Sequence, residues 1–157
     1  MNLLVLNLFL ALGWALVTGS FTVWTFVVGF ALGYLALWIV RPLYGPTRYF
    51  ERFWLLLRLI GYFLYELVLS SLNVAWDTIT PWHLSCPGIV AIPLDVRTDA
   101  EILMLANLVS LTPGTLSLEI SEDRRTLYVH FMFVRDPDAE RARIKGGIER
   151  RLLEMTR

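Results

Sequence analysis

The first 40 residues contain no Asp, Glu, Lys, Arg or His; the first charged side chain is Arg41. All 14 basic and 14 acidic residues therefore lie in the remainder of the 157-residue chain. An absence of charge on that scale, with 56% hydrophobic and only 18% charged residues overall, excludes a simple soluble globule. The formal net charge is zero, without the basic surplus by which nucleic-acid binders announce themselves, so no nucleic-acid partner is expected. Cys86 is the single cysteine, which excludes an internal disulfide. Beside Pro87 and Gly88 it reads as a small buried hydrophobe, the only titratable neighbour in sequence being His83. Length leaves room for one small folded domain beside a membrane anchor.

What fills the uncharged start is apolar. It lacks the basic n-region of a cleavable signal peptide and is too long for an h-region. As one helix it would run ~60 Å, twice the hydrocarbon core of a bilayer. Thr18-Gly19-Ser20 supplies a break, since glycine and short hydroxyl side chains disfavour helix. Residues 3–17 and 21–40 then form two membrane helices folded back as a hairpin. Gly29 and Gly33 make a GxxxG pair in the second. Lipid gives helices no hydrophobic reason to associate, so small residues mark close packing, either within the hairpin or against neighbouring subunits. Arg41, Arg48, Arg52 and Arg58 follow, opposed only by Glu51, which places the loop and the N-terminus on the cytoplasmic side.

The third apolar segment, 53–76, carries Arg58, Tyr62, Glu66, Ser70, Asn73 and Asp77 at steps of three or four, a polar stripe on an otherwise apolar helix. Two readings compete. A third spanning helix would set Trp54 and Trp76 a bilayer apart, but would hold Glu66 near the midplane and send the C-terminal domain outside. A helix lying in the cytoplasmic interface would turn the stripe to water or to a partner, and this is preferred. Glu66 could carry a proton or sodium ion; a structural partnership with an arginine of a neighbouring protein is the preferred reading, because its helix offers no second acid or lysine beside it.

From residue 88 the period changes. Alternation over 88–96 predicts a strand that Pro93 confines to an edge. Thr98 and Glu101 form a capping box opening a helix to about Val109, and Thr112-Pro113-Gly114-Thr115 is a turn whose glycine needs positive φ. Strands over 115–121 and 126–134 read as a hairpin, and Asp136-Pro137 caps a last helix to about Met155, weakened by Gly146-Gly147. The fold class is thus a membrane helical hairpin (1–40), an Arg-rich loop with an interfacial or third membrane helix (41–86), and a small cytoplasmic α+β domain of order β-α-β-β-α (87–157). Its core is small enough to need docking on the membrane part or a partner.

Catalytic signatures are missing. No HExxH, CxxC, GxSxG, Walker or dinucleotide motif occurs, so no enzyme, metal site or cofactor is predicted. His130, in a strand beside Tyr128, lacks a nucleophile and reads as a sheet-surface or interface residue. Asn107, Ser110 and Thr112 can cap the helix end or hydrogen-bond across an interface, capping being the simpler role.

Taken together, the uncharged hairpin ending in Arg41-Pro42, then Pro87-Gly88-Ile89-Val90, the run from Asn107 through Pro113-Gly114-Thr115 and the strand Leu127-Tyr128-Val129-His130 resemble the E-type component (MrpE/MnhE family) of the multisubunit Mrp/Mnh-type Na+/H+ antiporters of bacteria. The resemblance covers nearly the whole chain, and 107–115 is its most specific part. It implies a multi-pass accessory component of the cytoplasmic membrane, with lipid and the A-, B-, C-, D-, F- and G-type components as partners. Sodium and protons would pass through the large A- and D-type components, and the E-type one would serve assembly and activity. Gly29, Gly33, Arg58, Tyr62, Glu66, Asn73, Asn107, Thr112, Pro113, Gly114 and His130 are the candidate contacts to those other subunits. The competing function is a stand-alone membrane-anchored regulatory or ligand-binding domain.

Overall fold

The computed structural model describes residues 3–43, 48–81 and 85–157. It divides into two compact units, Met1–Phe53 and Trp54–Arg157. The division falls within the third helix, most of which lies in the second unit.

In the first unit, α1 (Leu3–Thr18) and α2 (Val23–Ile39) form the expected pair of apolar helices. The break is a glycine cap: Gly19 takes φ +64°, its N–H reaches the Leu16 carbonyl and the Ser20 N–H reaches that of Ala15. Only glycine enters this left-handed conformation cheaply. Thr22 then caps α2 by accepting from the Thr25 N–H. At 16 and 17 residues, each helix is ~25 Å long. Leu3, Leu37 and Phe50 form a small core with Tyr34 and Tyr49, the aromatic pair lying 5.9 Å apart.

The second unit is built on α3, which runs without a break from Tyr49 to Ile79, further in both directions than its apolar stretch suggests. Its 31 residues are long and apolar enough to cross a membrane. The α+β part follows as β1 (Gly88–Pro93), α4 (Asp99–Leu111), β2 (Thr115–Ile120), β3 (Thr126–Phe131), α5 (Pro137–Ile144), a π turn (Lys145–Glu149) and α6 (Arg150–Thr156). The three strands are antiparallel in the order β1-β3-β2, which leaves the proline-bearing strand at an edge. Here the missing N–H of Pro93 removes no ladder bond.

One sheet face is packed. Val90, Ile92, Leu127, Val129 and Phe131 meet Ile102, Leu105 and Val109 of α4 and Ile144, Ile148 and Leu152 beyond β3. Leu59 of α3 joins the same core, which is how the helix is mounted on the domain. Each such side chain contributes ~1.5–3 kcal/mol when fully buried, so the mount is an integral part of a small core.

Local signals place the ends of these elements. Thr98 and Glu101 form the reciprocal capping box at α4. Asp136 caps α5 through the Asp138 N–H, with Pro137 in the first turn. The last helix is divided by a π turn across Gly146 and Gly147. Cys86 is exposed, contrary to the expectation of a buried hydrophobe. Its backbone is the reason: the N–H bonds the Met132 carbonyl and the C=O accepts from Val134, holding the residue beside the end of β3 with its thiol outward.

Candidate functional site

The polar stripe of α3 faces its own domain. Glu66 is almost fully buried, and both carboxylate oxygens are engaged. Oε1 accepts from the Tyr62 hydroxyl at 2.8 Å and Oε2 from the Arg143 guanidinium at 2.7 Å. Arg143 spans two acids, since its Nε also donates to Glu140 at 2.9 Å. The guanidinium sits 5.9 Å from the Phe131 ring centre, so its apolar plane is covered as well. A carboxylate in such surroundings is tolerated because it is both charge-paired and hydrogen-bonded. The arginine is therefore supplied by this chain, where the sequence favoured one from a neighbouring protein.

Tyr62 packs against Arg151 and Gly147. Arg151 lies over its ring with 3.7 Å from guanidinium carbon to ring centre. The backbone of Gly147, whose carbonyl accepts from Arg151 at 2.9 Å, also borders the tyrosine: a Cβ there would lie 3.1 Å from the ring atoms Cε1 and Cζ and would overlap the hydroxyl. Gly147, read from sequence with Gly146 as a weakness of the helix, thus provides the recess into which Tyr62 fits, while the space beside Gly146 is open. Next to it Lys145 bonds the Pro93 carbonyl at 2.8 Å and meets Asp95 at 2.7 Å. The fully buried Glu149 accepts from the Asp95 and Val96 N–H groups at 2.6 and 3.2 Å. The π turn thereby ties α3 on one side and the loop after β1 on the other.

Further along α3, a groove of about 200 Å³ is lined by Ser70, Asn73, Pro113, Gly114, Glu140 and Arg143 among others. Gly114 has φ +82°, and the Thr115 N–H closes the turn onto the Thr112 carbonyl at 3.1 Å. Five candidates chosen from sequence thus meet along one side of α3: Tyr62, Glu66, Asn73, Pro113 and Gly114. Arg58 lies at the near end, 3.9 Å from Glu154.

Others are placed elsewhere. Thr112 is buried and donates to the Leu108 carbonyl, a capping role. Ser110 accepts from the Ser117 N–H. Asn107 is exposed on α4, and His130 is half-buried on the open sheet face between Ile89 and Leu116. Gly29 and Gly33 are buried inside the hairpin, where a Cβ at Gly29 would lie 3.1 Å from the Ala11 backbone and one at Gly33 would overlap the Asn7 amide oxygen. These two glycines pack α1, which leaves them no face for a neighbour. His83 lies outside the described residues.

Sequence reasoning missed Arg143, Glu140, Arg151 and the recess at Gly147. The i, i+3 spacing of Glu140 and Arg143 was available, but nothing local joins it to a residue 77 positions earlier. Asn7 was also missed, a fully buried polar side chain in an apolar helix, whose Nδ2 donates to the Tyr49 hydroxyl at 2.9 Å. Among the described residues, no group of three or more His, Cys, Asp or Glu is arranged to hold a metal.

Two apolar helices, a third long and apolar enough to cross a membrane, and a small α+β domain whose Arg143 pairs with Glu66 of that third helix make up the described chain. Comparison with known proteins makes this specific. The MNHE family model, described as a Na+/H+ ion antiporter subunit, matches residues 7–155. The E-type Na(+)/H(+) antiporter subunit of Alkalihalophilus pseudofirmus is 35% identical over 98% of both chains, and that of Bacillus subtilis 33% over the same shares. A chain of the Mrp complex from Dietzia sp. is similar in structure, with TM-score 0.51 and 30% identity over 62% of this chain and 92% of its own. A chain of an archaeal respiratory membrane complex, the membrane-bound sulfane sulfur reductase, shares the fold over 96% of both at TM-score 0.59 and 23% identity. The chain belongs to the MnhE family of Na+/H+ antiporter subunits.

Proposed function

We propose that this chain is a non-catalytic accessory subunit of a multisubunit Na+/H+ antiporter, required for assembly and activity of the complex. Its partners are then the A-, B-, C-, D-, F- and G-type components and the surrounding lipid, and the ions pass through those other proteins. The observation that carries this reading is the state of Glu66. Both of its oxygens are engaged by Tyr62 and Arg143 of the same chain, so it is a tie between α3 and the domain and not a free carrier.

In this reading α1 and α2 cross the bacterial cytoplasmic membrane as a hairpin, with the N-terminus and the α+β domain in the cytoplasm. The arginines after the hairpin support that side. The helix α3 lies along the membrane surface. Leu59, Tyr62, Glu66, Ser70 and Asn73 all face the domain, over about 14 residues or ~21 Å of helix. Were α3 to span, Arg143, Glu140 and Arg151 would be drawn into hydrocarbon beside it, at ~2.5–3.5 kcal/mol or more for each buried charge. A flat helix instead keeps the domain in water and turns the opposite, apolar face to lipid.

The test is genetic and biochemical. Deleting the gene should abolish growth at high sodium and alkaline pH, and Glu66→Gln should lower the amount of assembled complex while antiport per complex in everted vesicles stays near normal. Fully assembled complex with no antiport in Glu66→Gln would make the residue part of the ion path and overturn the proposal.

A further inference from the structure

The flanks of α3 differ, and the difference names a lipid. With ~3.6 residues per turn, Trp54, Arg58, Tyr65 and Trp76, spaced by four, seven and eleven residues, fall on one line. Trp54, Tyr65 and Trp76 are 68%, 61% and 66% exposed. The opposite flank runs through Leu56, Ile60 and Leu67, with Ser71 and Thr78 further along, and Leu57, Leu64 and Val68 mark the face between the two. Between residues 54 and 65 one edge of the helix therefore carries side chains with an apolar body and a polar tip while the other carries Leu56 and Ile60; further along, the exposed Leu72 joins the aromatic line.

Charge follows the same asymmetry. Arg58 stands 3.9 Å from Glu154, and Arg150 of α6 stands 3.6 Å from the same carboxylate. Two arginines thus share one acid through long contacts. Their side chains are 55% and 57% exposed, so one positive charge is left over beside the aromatic line. An exposed arginine next to tryptophan and tyrosine, at the margin of an apolar helix face, matches the level of phosphate headgroups.

We propose that the Trp54–Arg58–Tyr65–Trp76 flank, with Arg150 behind it, is a docking line for anionic phospholipid. The guanidinium groups of Arg58 and Arg150 take the headgroup phosphates, the three aromatic rings lie at headgroup depth, and the flank of Leu56 and Ile60 tilts deeper into the acyl chains. The proposal rests on the surface orientation of α3 given above, and goes beyond it by naming the lipid class and the roll of the helix about its own axis.

The experiment uses the full chain with Cys86→Ser, spin-labelled at single positions and placed in nanodiscs of phosphatidylcholine with or without phosphatidylglycerol. Accessibility to oxygen and to a water-soluble nickel chelate should oscillate with the helical repeat, with Leu57→Cys and Leu64→Cys deep, Ile60→Cys deeper than Tyr65→Cys, and Tyr65→Cys at headgroup level. Unlabelled protein should restrict spin-labelled phosphatidylglycerol at least twofold more than phosphatidylcholine at low salt. Arg58→Gln with Arg150→Gln should bring that ratio close to one, since a basic residue near an anionic surface contributes roughly fivefold. Equal depth at Ile60 and Tyr65, or a lipid preference unchanged by the two substitutions, overturns this proposal while leaving α3 at the surface. A depth profile with one maximum midway between Trp54 and Trp76, or Leu64→Cys in water, removes the surface orientation itself and the docking line with it.

Discussion

Replacing Gly147 by alanine tests the recess that holds Tyr62. At an unconstrained helical site this change stabilises, by ~1 kcal/mol, because alanine loses less backbone freedom than glycine. Here the added methyl would overlap the Tyr62 hydroxyl and lie 3.1 Å from two ring carbons. The ring is not free to shift, because Arg151 lies over it and its hydroxyl is bonded to Glu66. Displacing it forfeits a hydrogen bond to a charged group, ~1.5–3 kcal/mol, and part of a cation–π contact, ~0.5–1 kcal/mol. Against the helix gain, the net loss is roughly 1–3 kcal/mol, which for a unit of this size lowers the melting temperature by about 4–12 °C. Thermal unfolding of the full chain in mild detergent, followed by near-ultraviolet circular dichroism, measures it. Tyr62→Phe removes the overlapping oxygen, so the double variant should lose less than the sum of the two single changes, a coupling expected of residues in contact. A Gly147→Ala protein as stable as the original, or more so, refutes the reasoning.

Three further outcomes follow from the same geometry. Arg143→Met should cost ~3–5 kcal/mol in that melt, more than Glu66→Gln, because it leaves the buried Glu66 without its cation. Gly114→Ala should destabilise by ~1–2 kcal/mol through its φ of +82°, since the surrounding space is ordinary; an unchanged melting temperature would refute the turn. Glu101 is held down to about 2 by the Thr156 hydroxyl and by the Thr98 and Arg97 N–H groups. Its contribution is then complete above the ordinary value of 4.5 and is lost as pH falls toward 2. Glu101→Gln should flatten that acid limb of the stability profile, and an unaltered limb would show that other carboxylates carry it.

Much of the fold was legible because its signals are local. The glycine at 19 ends a helix by its own φ, Thr98 and Glu101 cap each other three residues apart, and Pro93 selects an edge whatever lies across the sheet. The candidate site was half legible. The repeat along α3 gave the polar face, with Tyr62, Glu66 and Asn73 on it, and the Pro113-Gly114 turn gave one wall of the groove. Cys86 went the other way, since a residue's neighbours in sequence do not say which side of a strand end its thiol takes.

By itself, then, the sequence determined composition by segment and conformation by element: an uncharged hairpin, a striped helix, and a small domain with caps and turns at set places. Those follow from backbone sterics and side-chain period, which act within a few residues. Only the tertiary structure decided what meets the stripe. Arg143 reaches Glu66 across 77 residues, Tyr62 fits the recess at Gly147, and Gly33 leaves room for Asn7. Periodicity says which face of a helix is polar. It carries no information on the surface opposite, because that depends on how separately formed elements dock, and docking is settled by burial summed over the whole core.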